Sequence, residues 1–245
     1  MPSPIQQNRF EFKYILNPIQ ALEARHFIEN AMTLDPSATD KGFYIVTSLY
    51  CDTPHRGDYY DKSGGFIDRK KIRVRIYESY LADTIQTIFL ERKLKHDMTF
   101  LKTRVSISRA EWDLFMSRNF SKLLSYPREQ QKQKLLESLM WDYIAENRQP
   151  RYLIRYKRWP YLARDGSDLR ITFDESIDTI EQDSLKKPTH TTSVRPYATI
   201  MEVKFGHSIP PWFLLLLGRL HLTRSSFSKY AMSIDALNAY NPLPR

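Results

Sequence analysis

Arg9-Phe10-Glu11-Phe12-Lys13-Tyr14 puts a charge at every odd position and an aromatic ring at every even one. Period-two alternation is the pattern of a strand with two unlike faces. It recurs around Arg73-Val74-Arg75, Glu91-Arg92-Lys93, Lys102-Thr103-Arg104, Arg155-Tyr156, Arg170-Ile171-Thr172 and Glu202-Val203-Lys204. An ordinary solvated face would also use Thr, Ser and Gln. Here the charged positions are almost all Arg, Lys and Glu, a surface suited to a polyanion held by several cations with a metal ion helping.

Working outward, strands are expected over 9–16, 43–51, 70–78, 84–94, 99–108, 151–161, 168–176 and 198–205. Helices are expected over 19–32, with Leu22, Phe27, Ile28 and Met32 on the apolar face, from 109 behind an N-cap at Ser108, over 128–147, over 211–220 and over 227–238. A short helical turn is expected at 56–62, a hairpin turn at 164–167, and irregular chain over 177–196. No repeat or internal boundary stands out, so residues 5–240 are expected to form a single domain. Strands interspersed with helices, two of them closing the chain, predict an α+β fold around an antiparallel sheet. The apolar strand faces need cover, which the helices can supply from outside. The charged faces then either look into water, as half-buried sheets commonly do, or line the lumen of a barrel of about eight strands.

The composition narrows the partners. Thirty-seven Lys and Arg against 28 Asp and Glu leave a net charge of +9, which favours an anionic ligand. No GxGxxG or GxxxxGK[ST] occurs, so phosphate must be held by side chains and not by a glycine-rich backbone cradle. Cys51 is the only cysteine, which excludes an internal disulfide and points to a reducing compartment. The six histidines lack HExxH or HxH spacing and read as surface or packing residues. Residues 1–8 carry no apolar signal core, and the run 212–217 is too short to span a bilayer, so a cytoplasmic location is expected. That run reads as a buried helix face, with a docking surface for a membrane protein left open. Arg56, Lys62, Arg69 and Lys70 either form an outer rim that gathers anions or simply aid solubility. With no RNA-recognition signature and no aromatic ladder on the charged faces, nucleic acid is not an expected partner.

Arg9 to Tyr14, Ser48-Leu49-Tyr50-Cys51-Asp52-Thr53 followed by Tyr59-Tyr60, and Lys71 to Tyr77 together resemble the VTC domain. So do Glu91-Arg92-Lys93, Met201-Glu202-Val203-Lys204-Phe205 and Ser226-Phe227-Ser228-Lys229-Tyr230, in the family's order over about 9–236. This is the polyphosphate polymerase domain of the vacuolar transporter chaperone complex, within the triphosphate tunnel metalloenzymes, also called CYTH-like proteins. The resemblance implies a tunnel barrel that transfers the terminal phosphoryl group of ATP to a growing polyphosphate with Mn2+ or Mg2+. It implies that Lys13, Arg73, Arg75, Lys93, Lys102, Arg155, Arg170 and Lys229 line the tunnel, and that Arg9, Lys204 and Ser228 join Arg73 and Arg75 in contacting substrate. Glu202 is the implied metal ligand, and Glu11 and Glu91 are either further ligands or spacers between cations. The triphosphatase and cyclase-like branch carries an ExExK strand, whereas Arg9 stands here at the first Glu position. That departure favours holding a polymer over triphosphate hydrolysis, the second reading; a non-catalytic polyphosphate binder is the third. A separate membrane protein is a conceivable partner.

Overall fold

Alternation survives in three dimensions because strand pairing sets charged positions mostly opposite charged or polar ones. The computed structural model describes residues 10–96, 99–206 and 208–240. Arg9, and with it one expected substrate contact, lies outside the described residues, as does His207. In chain order the elements are β1 (Phe10–Leu16), α1 (Pro18–Ala31), β2 (Met32–Leu34), β3 (Tyr44–Asp52), α2 (Gly57–Ser63), β4 (Asp68–Ile76), β5 (Ile88–His96) and β6 (Thr99–Ile107). There follow α3 (Arg109–Met116), α4 (Phe120–Leu124), α5 (Gln130–Ala145), β7 (Gln149–Ala163), β8 (Arg170–Glu181), β9 (Thr192–Ser193), β10 (Thr199–Phe205), α6 (Pro211–Arg219) and α7 (Lys229–Tyr240). The fold class is the expected one: α+β, with antiparallel strand pairs and helices packed on their apolar faces.

The chain divides into two compact units. The first comprises Met1–Val46, Arg155–Thr179 and Thr191–Arg245. Here β10 lies between β1 and β8, antiparallel to both. The register sets Lys13 opposite Glu202 opposite Thr172, and Glu11 opposite Lys204 opposite Arg170. The alternate positions form the other face, where Tyr14, Met201, Val203, Ile171 and Phe173 are buried against Ala21, Ala24 and Ile28 of α1 and Phe213 and Leu216 of α6. A one-residue slip would send every one of these side chains to the wrong face, so the buried set fixes the register of the charged set. A capping box between Asn17 and Gln20 starts α1 immediately after β1.

The second unit comprises Thr47–Ile154 and Ile180–His190. It pairs β3, β4, β5 and β6 in that order, all antiparallel. Ile72, Val74, Ile76, Leu90, Val105 and Ile107 pack against Trp112, Phe115, Leu136, Leu139, Met140 and Tyr143 from α3 and α5. Truncating one such buried Leu costs about 2–5 kcal/mol. Ser108 caps α3 as expected, in a box with Glu111. Arg92 lies on this helix-covered face, where it reaches Asp142 of α5 and donates to the Ser138 carbonyl at 3.0 Å.

Four expectations are corrected. Leu22 is 72% exposed: α1 turns Ala21, Ala24 and Ile28 inward, because the small alanines let its backbone approach the strands closely. Of the 212–217 run only Phe213 and Leu216 are fully buried, while Leu215 is 71% exposed. Met32, expected as the last helical residue, instead opens β2, which pairs with β7. Residues 177–181 are not irregular but extend β8, and Thr192 and Ser193 pair with it. The helix α4 was not anticipated; at five residues it is too short to show a period.

Candidate functional site

Each unit carries one charged cluster on the charged face of its strands, and in the first unit the start of α7 joins it. In the second unit the cluster is built on Glu91, whose side chain is almost entirely buried. Strand register brings Arg73 and Arg104 directly opposite it on either side. Arg73 donates Nε to Oε2 at 2.7 Å, and Arg75 Nη1 lies 3.6 Å from the same oxygen. Oε1 takes Arg104 Nε at 2.6 Å and Lys102 Nζ at 2.8 Å. Arg75 also donates Nε to Ser48 Oγ at 3.0 Å, and Arg73 donates Nη1 to the Tyr50 hydroxyl at 3.0 Å. Burial alone would raise the Glu91 pKa, but Arg73, Arg75, Lys102 and Arg104 overcome it and hold the carboxyl far below its ordinary range.

The same crowding acts on the cations. Burial pulls the Lys102 ammonium down, and Arg73, Arg75 and Arg104 pull it further against Glu91, to about 7. Its side chain nonetheless keeps 45% of its surface exposed, so an incoming anion can reach it. Tyr50, which burial would push up, is brought down to about 8 by Arg73, Arg75 and Lys71. One carboxylate cannot neutralise four cations, so this face is short of negative charge and ready to receive it.

In the first unit two buried carboxylates share the centre. Asp174 is fully buried and takes Arg158 in a fork: Nε to Oδ1 and Nη2 to Oδ2, both 2.7 Å. Lys229, the first residue of α7, sets Nζ 2.5 Å from Asp174 Oδ2 and 3.9 Å from Glu202 Oε2. The Arg158 guanidinium also stands 3.9 Å from Glu202 Oε2, and Lys204 Nζ binds Glu202 Oε1 at 2.8 Å. Lys13 pairs with Glu11 at 2.9 Å and donates to the Phe227 carbonyl at 3.2 Å. Burial raises the Glu202 pKa, yet Lys204, Lys13, Lys229 and Arg158 bring it well below the usual range. Asp174, likewise opposed by burial, is lowered by Arg158 and Lys229 against Glu202. The Tyr156 ring lies under both Lys229 and Arg158, with centroid distances of 4.8 and 5.3 Å.

The structure therefore gathers Arg73, Arg75, Lys102 and Glu91 in one cluster, and Lys13, Lys204, Lys229, Glu11 and Glu202 in the other. Lys93 stands one row beyond Glu91, with Nζ 4.1 Å from the Phe100 ring centroid. Arg170 shares the row of Lys204 but ion-pairs with Asp35 at 3.0 Å. Ser228 caps α7, its hydroxyl accepting the Ala231 N–H at 3.4 Å. Arg155 pairs with Asp178 at 3.0 Å. It is Arg158 that enters the Asp174 fork: Trp159 and Tyr161 join the apolar cluster, so Tyr156 and Arg158 alternate onto the charged face. The sequence reading also passed over Asp174, Arg104 and Tyr50. Asp174 was reachable as the next step of period two after Arg170 and Thr172; nothing local separates Arg158 from Arg155 in a run of mixed cations.

Among the described residues no three His, Cys, Asp or Glu side chains gather as a metal cage. Glu202 nevertheless supplies a hard oxygen donor, its Oε2 standing 3.9 Å from both Arg158 and Lys229. It fits an ion of the Mg2+ or Mn2+ kind, held by one or two carboxylates and otherwise by phosphate oxygens and water. Glu91 and Asp174 fit such an ion poorly, because both oxygens of each are engaged by cations.

A model of the VTC domain family matches residues 8–238. The chain belongs to the VTC domain family. No protein of curated function matches it significantly. This VTC domain is similar in structure to a proposed adenylate cyclase from Bacillus halodurans, with 11% identity, 90% of this chain and 93% of that one covered, and a TM-score of 0.52. It is also similar to a proposed adenylyl cyclase from Hippeastrum whose dominant activity is that of a triphosphatase, with 14% identity, 93% and 94% covered, and a TM-score of 0.49. The first likeness shows a shared fold; the second adds nothing to it. No helix among the described residues is long and apolar enough to cross a membrane.

Proposed function

We propose that this VTC domain is a metal-dependent polyphosphate polymerase that transfers the γ-phosphoryl group of ATP to the end of a polyphosphate chain. Family membership supports chemistry on triphosphate or polyphosphate. The observation that carries the reading is the excess of cations round Glu91, four against one carboxylate, which asks for a strongly anionic ligand. The terminal oxygen of the acceptor chain attacks the γ phosphorus, the bond from phosphorus to the bridging oxygen of ATP breaks, and ADP leaves. The nucleophile is thus part of the substrate, and the protein contributes position and charge. Arg73, Arg75, Lys102 and Arg104 grip phosphate oxygens, the arginines through paired N–H donors. Glu202 would hold Mn2+ or Mg2+, which would supply charge neutralisation to the phosphate oxygens when bound.

The test is purified protein with ATP and Mn2+ and, in parallel, with a short polyphosphate primer. A polymerase yields long phosphate chains and ADP; a triphosphatase yields orthophosphate; a binder yields neither while retaining polyphosphate. Absence of chains across several metals in a folded protein sinks the proposal. Arg75→Ala should abolish chain synthesis, since it removes a buried guanidinium that Glu91 and Ser48 hold in one orientation.

A further inference from the structure

In the first unit, strand register sets one neutral residue, Thr172, directly opposite Glu202, with Lys13 on the far side of the carboxylate. Thr172 lies on β8 between Arg170 and Asp174 of the same face, while Ile171 and Phe173 are buried on the other. It is 4% exposed, and its hydroxyl is one of three buried hydroxyls with no hydrogen-bond partner among the described residues. The other two belong to Tyr152, in the second unit, and to Ser233, on α7. A threonine hydroxyl can donate and accept, and burying one unpaired is unfavourable. Valine would fill the same space without that cost. The chain nevertheless places a hydroxyl across from Glu202.

The carboxylate it faces has a matching oxygen. Glu202 Oε1 takes Lys204 at 2.8 Å, whereas Oε2 has its two cations, Arg158 and Lys229, at 3.9 Å, beyond hydrogen-bonding reach. Side chains directly opposite on antiparallel strands start about 5 Å apart at Cβ. Two buried oxygens, one anionic and one neutral, thus share a row, and among the described residues neither holds a hydrogen bond. Asp174, the next residue of this face on β8, offers no such oxygen, since Arg158 and Lys229 take both.

We propose that Thr172 is a ligand of the divalent ion, its hydroxyl oxygen joining Glu202 Oε2 in one site. The inference rests on the functional reading above and deepens it by adding a residue to the metal site. Hydroxyl and carboxylate are both hard oxygen donors, of the kind that Mg2+ and Mn2+ take in small number while phosphate oxygens and water complete the shell. Coordination uses an oxygen lone pair and leaves the hydroxyl proton for a phosphate oxygen, so both capacities of the threonine are met at once. The cations around Glu202 do not oppose such an ion. It arrives as its triphosphate complex, which is anionic, and Lys204, Lys229 and Arg158 attract that charge.

The experiment measures tripolyphosphate affinity by calorimetry, once with saturating Mn2+ and once with EDTA in place of metal; the readout is the gain that Mn2+ confers. Thr172→Val should cut that gain about tenfold or more. It should leave affinity in EDTA unchanged, and the metal-free protein should melt no lower than the wild type, since a methyl replaces an unpaired hydroxyl. Thr172→Ser should keep most of the gain. A Thr172→Val protein with the wild-type gain overturns the proposal. So does an equal loss in EDTA, which would make the hydroxyl a contact to phosphate and not to metal. A Thr172→Ser protein that loses as much as Thr172→Val overturns it in favour of shape. A Thr172→Val protein that melts clearly below the wild type overturns it too, because the hydroxyl would then be bonded within the protein. The metal reading itself fails separately, on a wild type indifferent to Mn2+ or a Glu202→Gln variant that keeps the full gain, and either result takes the Thr172 assignment with it.

Discussion

The two charged clusters use the same residue types to opposite effect. Around Glu91 one carboxylate serves four cations, and the face retains an excess of positive charge. Around Glu202 and Asp174 two buried carboxylates, with Glu11 beside them, nearly balance Arg158, Lys229, Lys204 and Lys13. The first arrangement is poised for an anion. The second is neutral enough to be stable while empty, and it keeps a Glu202 oxygen that a divalent ion can use. A cationic face grips phosphate; a balanced one can carry a metal.

The sharpest way to break this contrast is at the carboxylates. Glu202→Gln should lower Mn2+-supported turnover about a thousandfold, roughly 4 kcal/mol of transition-state stabilisation. Glu91→Gln should cost less turnover, and added polyphosphate should raise its melting temperature more than that of the wild type, since the ligand replaces the missing counter-charge. Turnover rates across a Mn2+ titration, with melting curves, check both; the reverse ranking would remove the distinction between the clusters. Next in size is Arg158→Ala, which leaves fully buried Asp174 without its fork. Removing one partner of a buried pair costs about 3–5 kcal/mol, or roughly 10 °C in melting temperature for a chain of this size. A drop of under 2 °C in a thermal melt would mean that Asp174 is not held as described.

The third effect is a pH dependence that only the Glu91 cluster should show. Lys102 has its folded pKa pulled down to about 7, so it is charged below that pH and loses its proton above it. A bound polyanion favours the charged form, and binding above pH 7 must therefore take up a proton. Tripolyphosphate affinity should weaken by up to about tenfold per pH unit above 7. Tyr50, ionising at about 8, steepens the same limb. Lys102→Arg should flatten it at the lower end. Calorimetry in buffers of different ionisation enthalpy measures the proton taken up, and none at pH 8 would refute the shift. The smallest effect belongs to Ser228→Ala, which removes the α7 cap and should cost about 1 kcal/mol by denaturant titration. A much larger loss of turnover than of stability would instead make Ser228 a substrate contact.

Much of the fold was legible because it depends on spacing along the chain. Phe10 to Tyr14, Lys71 to Ile76 and Met201 to Phe205 alternate, and each lies in a strand with the expected faces. The hairpin of β4 with β5 and the Ser108 cap were equally local. The α1 face was misjudged because Leu22 outranks Ala21 in hydrophobicity, while close approach to a sheet selects the smaller residue. Membership of the clusters was legible only in part. Arg73, Arg75 and Glu91 follow from alternation on neighbouring strands. Arg158 does not, since Arg155-Tyr156-Lys157-Arg158 offers a cation to either face and only the burial of Trp159 and Tyr161 decides which one turns to Asp174.

Taken by itself, the sequence determined that these strands have one apolar and one charged face, because alternation at period two and the size of the apolar set admit no other burial. It also determined the sign of the ligand, through its surplus of Lys and Arg. Which cations share which carboxylate was decided in the folded chain. Lys229 meets Asp174 and Arg104 meets Glu91 through strand pairing and helix placement, and those partnerships form only when helices cover the apolar faces and lock the register of the charged ones.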